Sequence, residues 1–200
     1  MDFVELSIAE LREKSNQLAQ LVAADWRPDT IAYLAKGGYI IGLEMSRALE
    51  AELMEFSARR SGDDAKNAIA GFLLRCPKTL KRLLRGLEIR FRLRKGCEIN
   101  RQKDIYRTRR FPDPKKAEKI LIVDDSADTG ASLKSAMELA KRDFPSADIK
   151  IAVINTFDEA RKQIRIDWYL YENCLLGTPA SKDNPEYKTF LAIYQNELPL

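Results

Sequence analysis

Histidine is absent from all 200 residues of the chain. That removes every His-based triad, every imidazole metal site and the commonest general base, so any catalysis rests on carboxylates, lysine, hydroxyls or backbone amides. Cysteine is scarce: Cys76, Cys97 and Cys174 are odd in number and too far apart for a CxxC metal or redox motif, and each reads as a small buried or incidental residue. No apolar run approaches the roughly 18 residues that a membrane-spanning helix needs. The acidic opening MDFVELSIAE lacks the basic and apolar regions of a signal peptide, so the cytoplasm is expected and a membrane is not. Internal repeats and low-complexity tracts are missing as well.

What is present is the make-up of a soluble globular protein, 45% hydrophobic and 32% charged with both signs interspersed. The length suits one domain with a single core, spanning 1–200. The net charge of +4 conceals an asymmetry: residues 75–110 carry fourteen Lys or Arg against Glu88, Glu98 and Asp104, leaving an acidic body around a basic segment.

Apolar residues at helical spacing (Ile8, Leu11, Leu18, and Leu21 or Val22) predict an amphipathic helix over 5–23. TIAYLA (30–35) reads as a short buried strand, a helical pattern resumes over 40–49, and 52–58 reads as a second strand. Strands are also predicted at 119–123, 149–156 and 167–171, with a helix over 132–142 whose inward residues are Leu133, Ala136, Met137 and Ala140. This β-turn-α-β order implies an α/β fold, a central parallel sheet with crossover helices. Residues 63–96 read as helical, with Leu80, Leu83, Leu84, Leu87 and Phe91 in one stripe and arginines elsewhere, and 97–117 as a loop.

The densest signal is ILIVDDSADTGASL (120–133). Four apolar residues run into two adjacent carboxylates, Asp124 and Asp125, and a short turn then opens a helix. Carboxylates at a strand's carboxyl end can hold a ribose diol, while open backbone amides and the positive end of a helix can bind phosphate. Gly130 permits close backbone approach, and Thr129 and Ser132 add hydroxyls. A response-regulator receiver domain also begins with such a strand, and Asp167 lies near where its phospho-acceptor would fall. Only 33 residues follow Asp167, however, too few for the remaining strands and helices of that fold, and the DTGAS turn would go unexplained.

The segment resembles the PRPP motif of type I phosphoribosyltransferases. The resemblance implies that fold, with a small hood from the terminal segments, and a set of roles. Asp124 and Asp125 would contact the ribose hydroxyls of phosphoribosyl pyrophosphate (PRPP). Asp128, Thr129, Gly130, Ala131 and Ser132 would surround its 5'-phosphate, and Asp128 would lie near the incoming base as the general base. LAKGGYIIG (34–42) resembles the pyrophosphate loop of hypoxanthine-guanine phosphoribosyltransferases. Lys36, Gly37 and Gly38 would then receive the leaving group, with Lys36 catalytic beside Asp128 and a cis bond between Ala35 and Lys36. Mg²⁺ would arrive with PRPP, bridged through water to Asp124.

In xanthine-guanine type enzymes a strand AVLHTKP carries a lysine that reads the purine oxo group, and WIVFPWE carries a stacking tryptophan. Here AVINTFDE (152–159) and DWYLYE (167–172) place Phe157 as an apolar wall where the lysine stands and Trp168 as the stacking ring. An apolar ring cannot donate to a carbonyl, which leaves the acceptor open. The distance from Gly38 to Asp124 exceeds what compact salvage enzymes need. Residues 63–117 therefore read as a helical insertion and lid, in which Arg107 and Arg109 would close over the anionic substrate. The basic stretch reads first as a solvated face on a helix packed by Leu80, Leu84 and Leu87, and the same stripe also offers a surface for a homo-oligomer, most simply a homodimer. The expected activity joins a nucleobase-like acceptor to C1' of PRPP with release of pyrophosphate. The alternative is a PRPP-sensing or RNA-binding regulator without catalysis, using the basic insertion, although no nucleic-acid motif accompanies its arginines.

Overall fold

The computed structural model describes residues 2–58, 104–115 and 117–196. Elements are numbered along those residues. The predicted helical stretch 63–96, and with it most of the insertion, lies outside them.

Strand β1 (Phe3–Glu5) leads into helix α1 (Ile8–Asp25), which opens with a capping box: Ser7 and Glu10 satisfy each other's backbone amides. Leu11, Leu18, Ala19 and Val22 face inward, and Leu21 is left outside at 46% exposure. Then come β2 (Thr30–Leu34), α2 (Tyr39–Leu49), β3 (Glu52–Ala58) and β4 (Ile105–Arg107). The chain continues through β5 (Lys119–Ala127), α3 (Ala131–Asp143), β6 (Asp148–Thr156), α4 (Asp158–Gln163), β7 (Trp168–Glu172), β8 (Leu175–Gly177) and α5 (Tyr187–Asn196).

Six of these strands form one sheet in the order β4-β3-β2-β5-β6-β7, parallel throughout except for β4. Its central strands are buried on both faces, as continuous apolar runs such as Ile120 to Val123 require. One face packs against α1 and α2 through Leu18, Val22, Ile41 and Met45; the other packs against α3 through Leu133, Ala136 and Leu139. The α/β sandwich is as expected. The hood takes the form of a two-stranded parallel sheet, β1 with β8, locked by the Asn184 side chain donating to the Leu6 carbonyl at 2.9 Å.

Two details differ from the sequence reading. Strand β5 runs four residues further than expected, through Asp124 to Ala127, because Ser126 and Ala127 stay in register with Asn155 and Thr156 of β6. Residues 105–107, expected in a loose lid, are instead an edge strand on β3.

Candidate active site at the switch between β2 and β5

Strand order reverses between β2 and β5: the chain steps from β2 outward to β3 on one side and from β5 to β6 and β7 on the other. In open α/β sheets a crevice forms at the carboxyl ends of the strands flanking such a reversal. The two glycine-bearing loops singled out in the sequence are the segments that leave β2 and β5 there.

After β5, Gly130 turns the chain with φ of 75°, a left-handed conformation that side chains resist, and caps α3 without a side-chain acceptor. Asp124, Asp125, Asp128 and Thr129 are half-buried around that turn. Asp124 Oδ1 accepts the Asp125 backbone amide at 2.9 Å. The Ser126 hydroxyl donates to Asp128 Oδ1 at 3.1 Å. Across the crevice, the Ala35 to Lys36 peptide bond is cis, as the motif resemblance led us to expect. A side-chain carbon on Gly37 would lie 2.8 Å from the Asp125 carboxyl, so only glycine lets the two loops meet.

Residues that the sequence did not single out complete the site. Thr178, just after β8, donates its hydroxyl to Asp125 Oδ2 at 2.8 Å and so ties the hood to the β5 loop. Below the β2 loop a buried polar cluster surrounds Glu55, a carboxylate on β3. Glu55 accepts from the Tyr33 hydroxyl and, at 3.0 Å, from the Tyr194 hydroxyl of α5, and lies 3.6 Å from the Arg110 guanidinium. Arg110 also donates to the Tyr194 carbonyl and stacks 4.2 Å from the ring centroid of Tyr194 and 4.8 Å from that of Tyr39. Burial, reinforced by Glu55, pushes the Tyr194 phenol up to about 12 and the Tyr33 phenol far above its ordinary value. The Lys36 ammonium rests 5.6 Å from the same Tyr194 ring, so α5 backs the loop that carries it. Arg110 falls in the basic run read as a lid, where nothing set it apart as a partner for Glu55, and Tyr194 was missed because α5 had no place in the motif.

A model of the phosphoribosyl transferase domain matches residues 4–183. The chain belongs to that family. By reaction class it is a phosphoribosyltransferase, a pentosyltransferase acting with PRPP. Solved structures share its fold. A purine phosphoribosyltransferase from Pyrococcus horikoshii Ot3 superposes with a TM-score of 0.59 at 19% identity, covering 91% of this chain and 95% of that one. The Helicobacter pylori xanthine-guanine-hypoxanthine phosphoribosyltransferase gives 0.59 at 16% identity, with 92% and 97% covered. An adenine phosphoribosyltransferase from Thermoanaerobacter pseudethanolicus gives 0.51 at 13% identity, with 82% and 81% covered.

Within this phosphoribosyltransferase, Trp168 and Phe157, the residues expected to bind the base, are both drawn into packing. Trp168 opens β7 opposite Ala152, which pairs with Val123, three rungs short of Asn155 and Ser126. Its ring stacks on Trp26 at 5.9 Å with the Lys150 ammonium over both rings, and Trp26 donates to Asp148 at the opposite end of β6. Trp168 thus packs with Trp26 toward the end of β6 that lies away from the β5 loop. Phe157 sits beside the β5 loop, its amide donating to the Ala127 carbonyl at 3.0 Å, and is only 1% exposed. Of the lid arginines, Arg107 is paired with Asp113 at 3.1 Å and lies over Phe144, while Arg109 is exposed. The segment that reaches the crevice is the hood strand β8 with Thr178. Its cue in the sequence was slight, a three-residue apolar run ended by Gly177, Thr178 and Pro179.

Among the described residues no helix is long and apolar enough to cross a membrane, and no three His, Cys, Asp or Glu side chains gather as a metal site.

Proposed function

We propose that the crevice between the β2 and β5 loops transfers the ribose 5-phosphate of PRPP to a purine-type base and releases pyrophosphate. The carrying observation is the direct apposition of the two loops, with Gly37 against the Asp125 carboxylate. One loop offers paired acids and a helix start to a phosphorylated ribose, and the other offers a lysine and glycine amides to an anionic leaving group.

In this reading Asp124 and Asp125 hold the ribose hydroxyls, and 128–132 enclose the 5'-phosphate. Lys36, Gly37 and Gly38 stabilise the departing pyrophosphate. Asp128 accepts the proton that the base loses as its nitrogen bonds to C1', or offsets the positive charge developing on the ribose. The half-buried carboxylate oxygens of Asp124 and Asp125 suit a hard cation, and Mg²⁺ carried on PRPP would be held there through water, screening the leaving group's charge. The purine names of the fold relatives favour a purine acceptor. The base would lie under β8 and Thr178, the hood segment that reaches Asp125.

The test is to incubate the protein with PRPP, Mg²⁺ and each of hypoxanthine, guanine, xanthine and adenine, and to measure nucleotide and pyrophosphate. Stoichiometric formation of both with at least one base supports the reading. PRPP binding with no turnover of any of the four would count against it and favour the regulatory alternative.

A further inference from the structure

Asn155 is fully buried, yet nothing in the reaction so far uses it. It sits on β6 in register with Ser126 of β5, so both side chains leave the same face of the sheet at its carboxyl end. The orientation of its amide is fixed by the chain before β8. The Cys174 backbone amide donates to Asn155 Oδ1 at 3.4 Å and the Cys174 thiol does so at 3.1 Å, while the Cys174 carbonyl accepts from Asn155 Nδ2 at 3.0 Å. Turning the amide over would set donor against donor and acceptor against acceptor. The second Nδ2 hydrogen therefore points to Ser126 Oγ, 3.1 Å away.

A hydroxyl has one hydrogen and two lone pairs. With a lone pair of Ser126 taken by Asn155, its hydrogen is directed onward to Asp128 Oδ1 at 3.1 Å. Donor direction thus runs one way, from a buried amide through a hydroxyl to a carboxylate, and a donor to a carboxylate holds its plane more firmly than a neutral contact does.

We infer that Asn155 and Ser126 are positioning residues: the chain Cys174 to Asn155 to Ser126 fixes the Asp128 carboxylate in the plane from which it meets the incoming base. The inference rests on the assignment of Asp128 as the group facing that base. It explains why a polar residue is tolerated at Asn155, on a strand otherwise apolar from Ile151 to Ile154. It also makes the end of β7 and the start of β8, through Cys174, part of the machinery that orients Asp128.

Ser126→Ala removes the hydrogen that Ser126 donates to Asp128, from a half-buried position where alanine fits, and Ser126→Thr keeps it. The readout is the carboxyl-carbon NMR resonance of Asp128 in uniformly labelled protein, identified by its loss in Asp128→Asn. It is joined by kcat and the KM for PRPP in the assay with the four purines. The resonance is expected to move in Ser126→Ala and return in Ser126→Thr. In parallel kcat falls about tenfold in the alanine variant while the KM for PRPP stays within about twofold, and threonine restores kcat. An unchanged Asp128 resonance in Ser126→Ala overturns the inference, as does wild-type kcat in that variant when Asp128→Asn is inactive. Wild-type turnover in Asp128→Asn overturns the assignment of Asp128 and the inference with it. Absence of turnover with every purine, in a protein whose Asp128 resonance answers to Ser126, counts against the reaction and supports the relay.

Discussion

Glu55 shows how a single buried charge is made tolerable. Its side chain is 6% exposed and that of Arg110 10%, so neither ion is solvated by bulk water; Glu55 depends on Arg110 and the two tyrosine hydroxyls, and Arg110 on Glu55 and the Tyr194 carbonyl. Removing one member of such a group leaves an uncompensated charge, which costs about 3 to 5 kcal/mol. Glu55→Ala should therefore lower the unfolding free energy by about 3 kcal/mol in a denaturant titration; a loss under about 1 kcal/mol would show that the cluster is solvated. Tyr33 and Tyr194 bind their protons more tightly folded than unfolded, so the folded state gains from them fully below the ordinary tyrosine value of 10.0. That contribution is lost as pH rises toward the folded value of about 12 for Tyr194. Unfolding midpoints should fall between pH 10 and 12, and Tyr194→Phe should flatten the fall; an unchanged slope would contradict it. Trp168 makes the opposite kind of prediction. Packed on Trp26 beneath Lys150, it should cost about 2 kcal/mol of stability when cut to alanine, while the KM for an acceptor base stays within about twofold. A many-fold rise in that KM would return the ring to the active site.

At the scale of elements, the β2 loop and the β5 loop work only as a pair. Gly37→Ala would push a carbon to within 2.8 Å of the Asp125 carboxyl, and displacing a positioned group by this order can cost about a hundredfold in rate. The variant should keep its thermal midpoint within a few degrees and lose PRPP affinity; unaltered affinity would show that the loops separate when substrate enters. How far the sequence revealed these elements follows from their physics. β5 and α3 were legible because an apolar run followed by helical spacing leaves one reading of these elements, and the carboxylates between them carry the resemblance to the PRPP motif. The hood strands were not, since three residues of β1 and three of β8 carry too little pattern to stand out. The position of Trp168 was hard to read for a related reason: DWYLYE and the chain after it both offer a strand, and only the register opposite Ala152 tells which of them ends beside Asp125. Arg110 meets Tyr194 across 84 residues of chain and Tyr194 meets Glu55 across 139, contacts that no local spacing encodes.

For the whole molecule, the strand order accounts for the site. Because β2 and β5 are neighbours with their crossovers running to opposite sides, two loops far apart in sequence open onto one crevice, reached by Thr178 after β8 and backed by α5. The account predicts that PRPP binds there through the paired acids at the end of β5. The most direct measurement is a calorimetric titration of Mg²⁺ and PRPP into the wild-type protein and into the double variant Asp124→Asn with Asp125→Asn, each with its thermal unfolding recorded. The predicted result is saturable binding to the wild type and none to the double variant, with both proteins folded; retained affinity in a folded double variant would contradict the account.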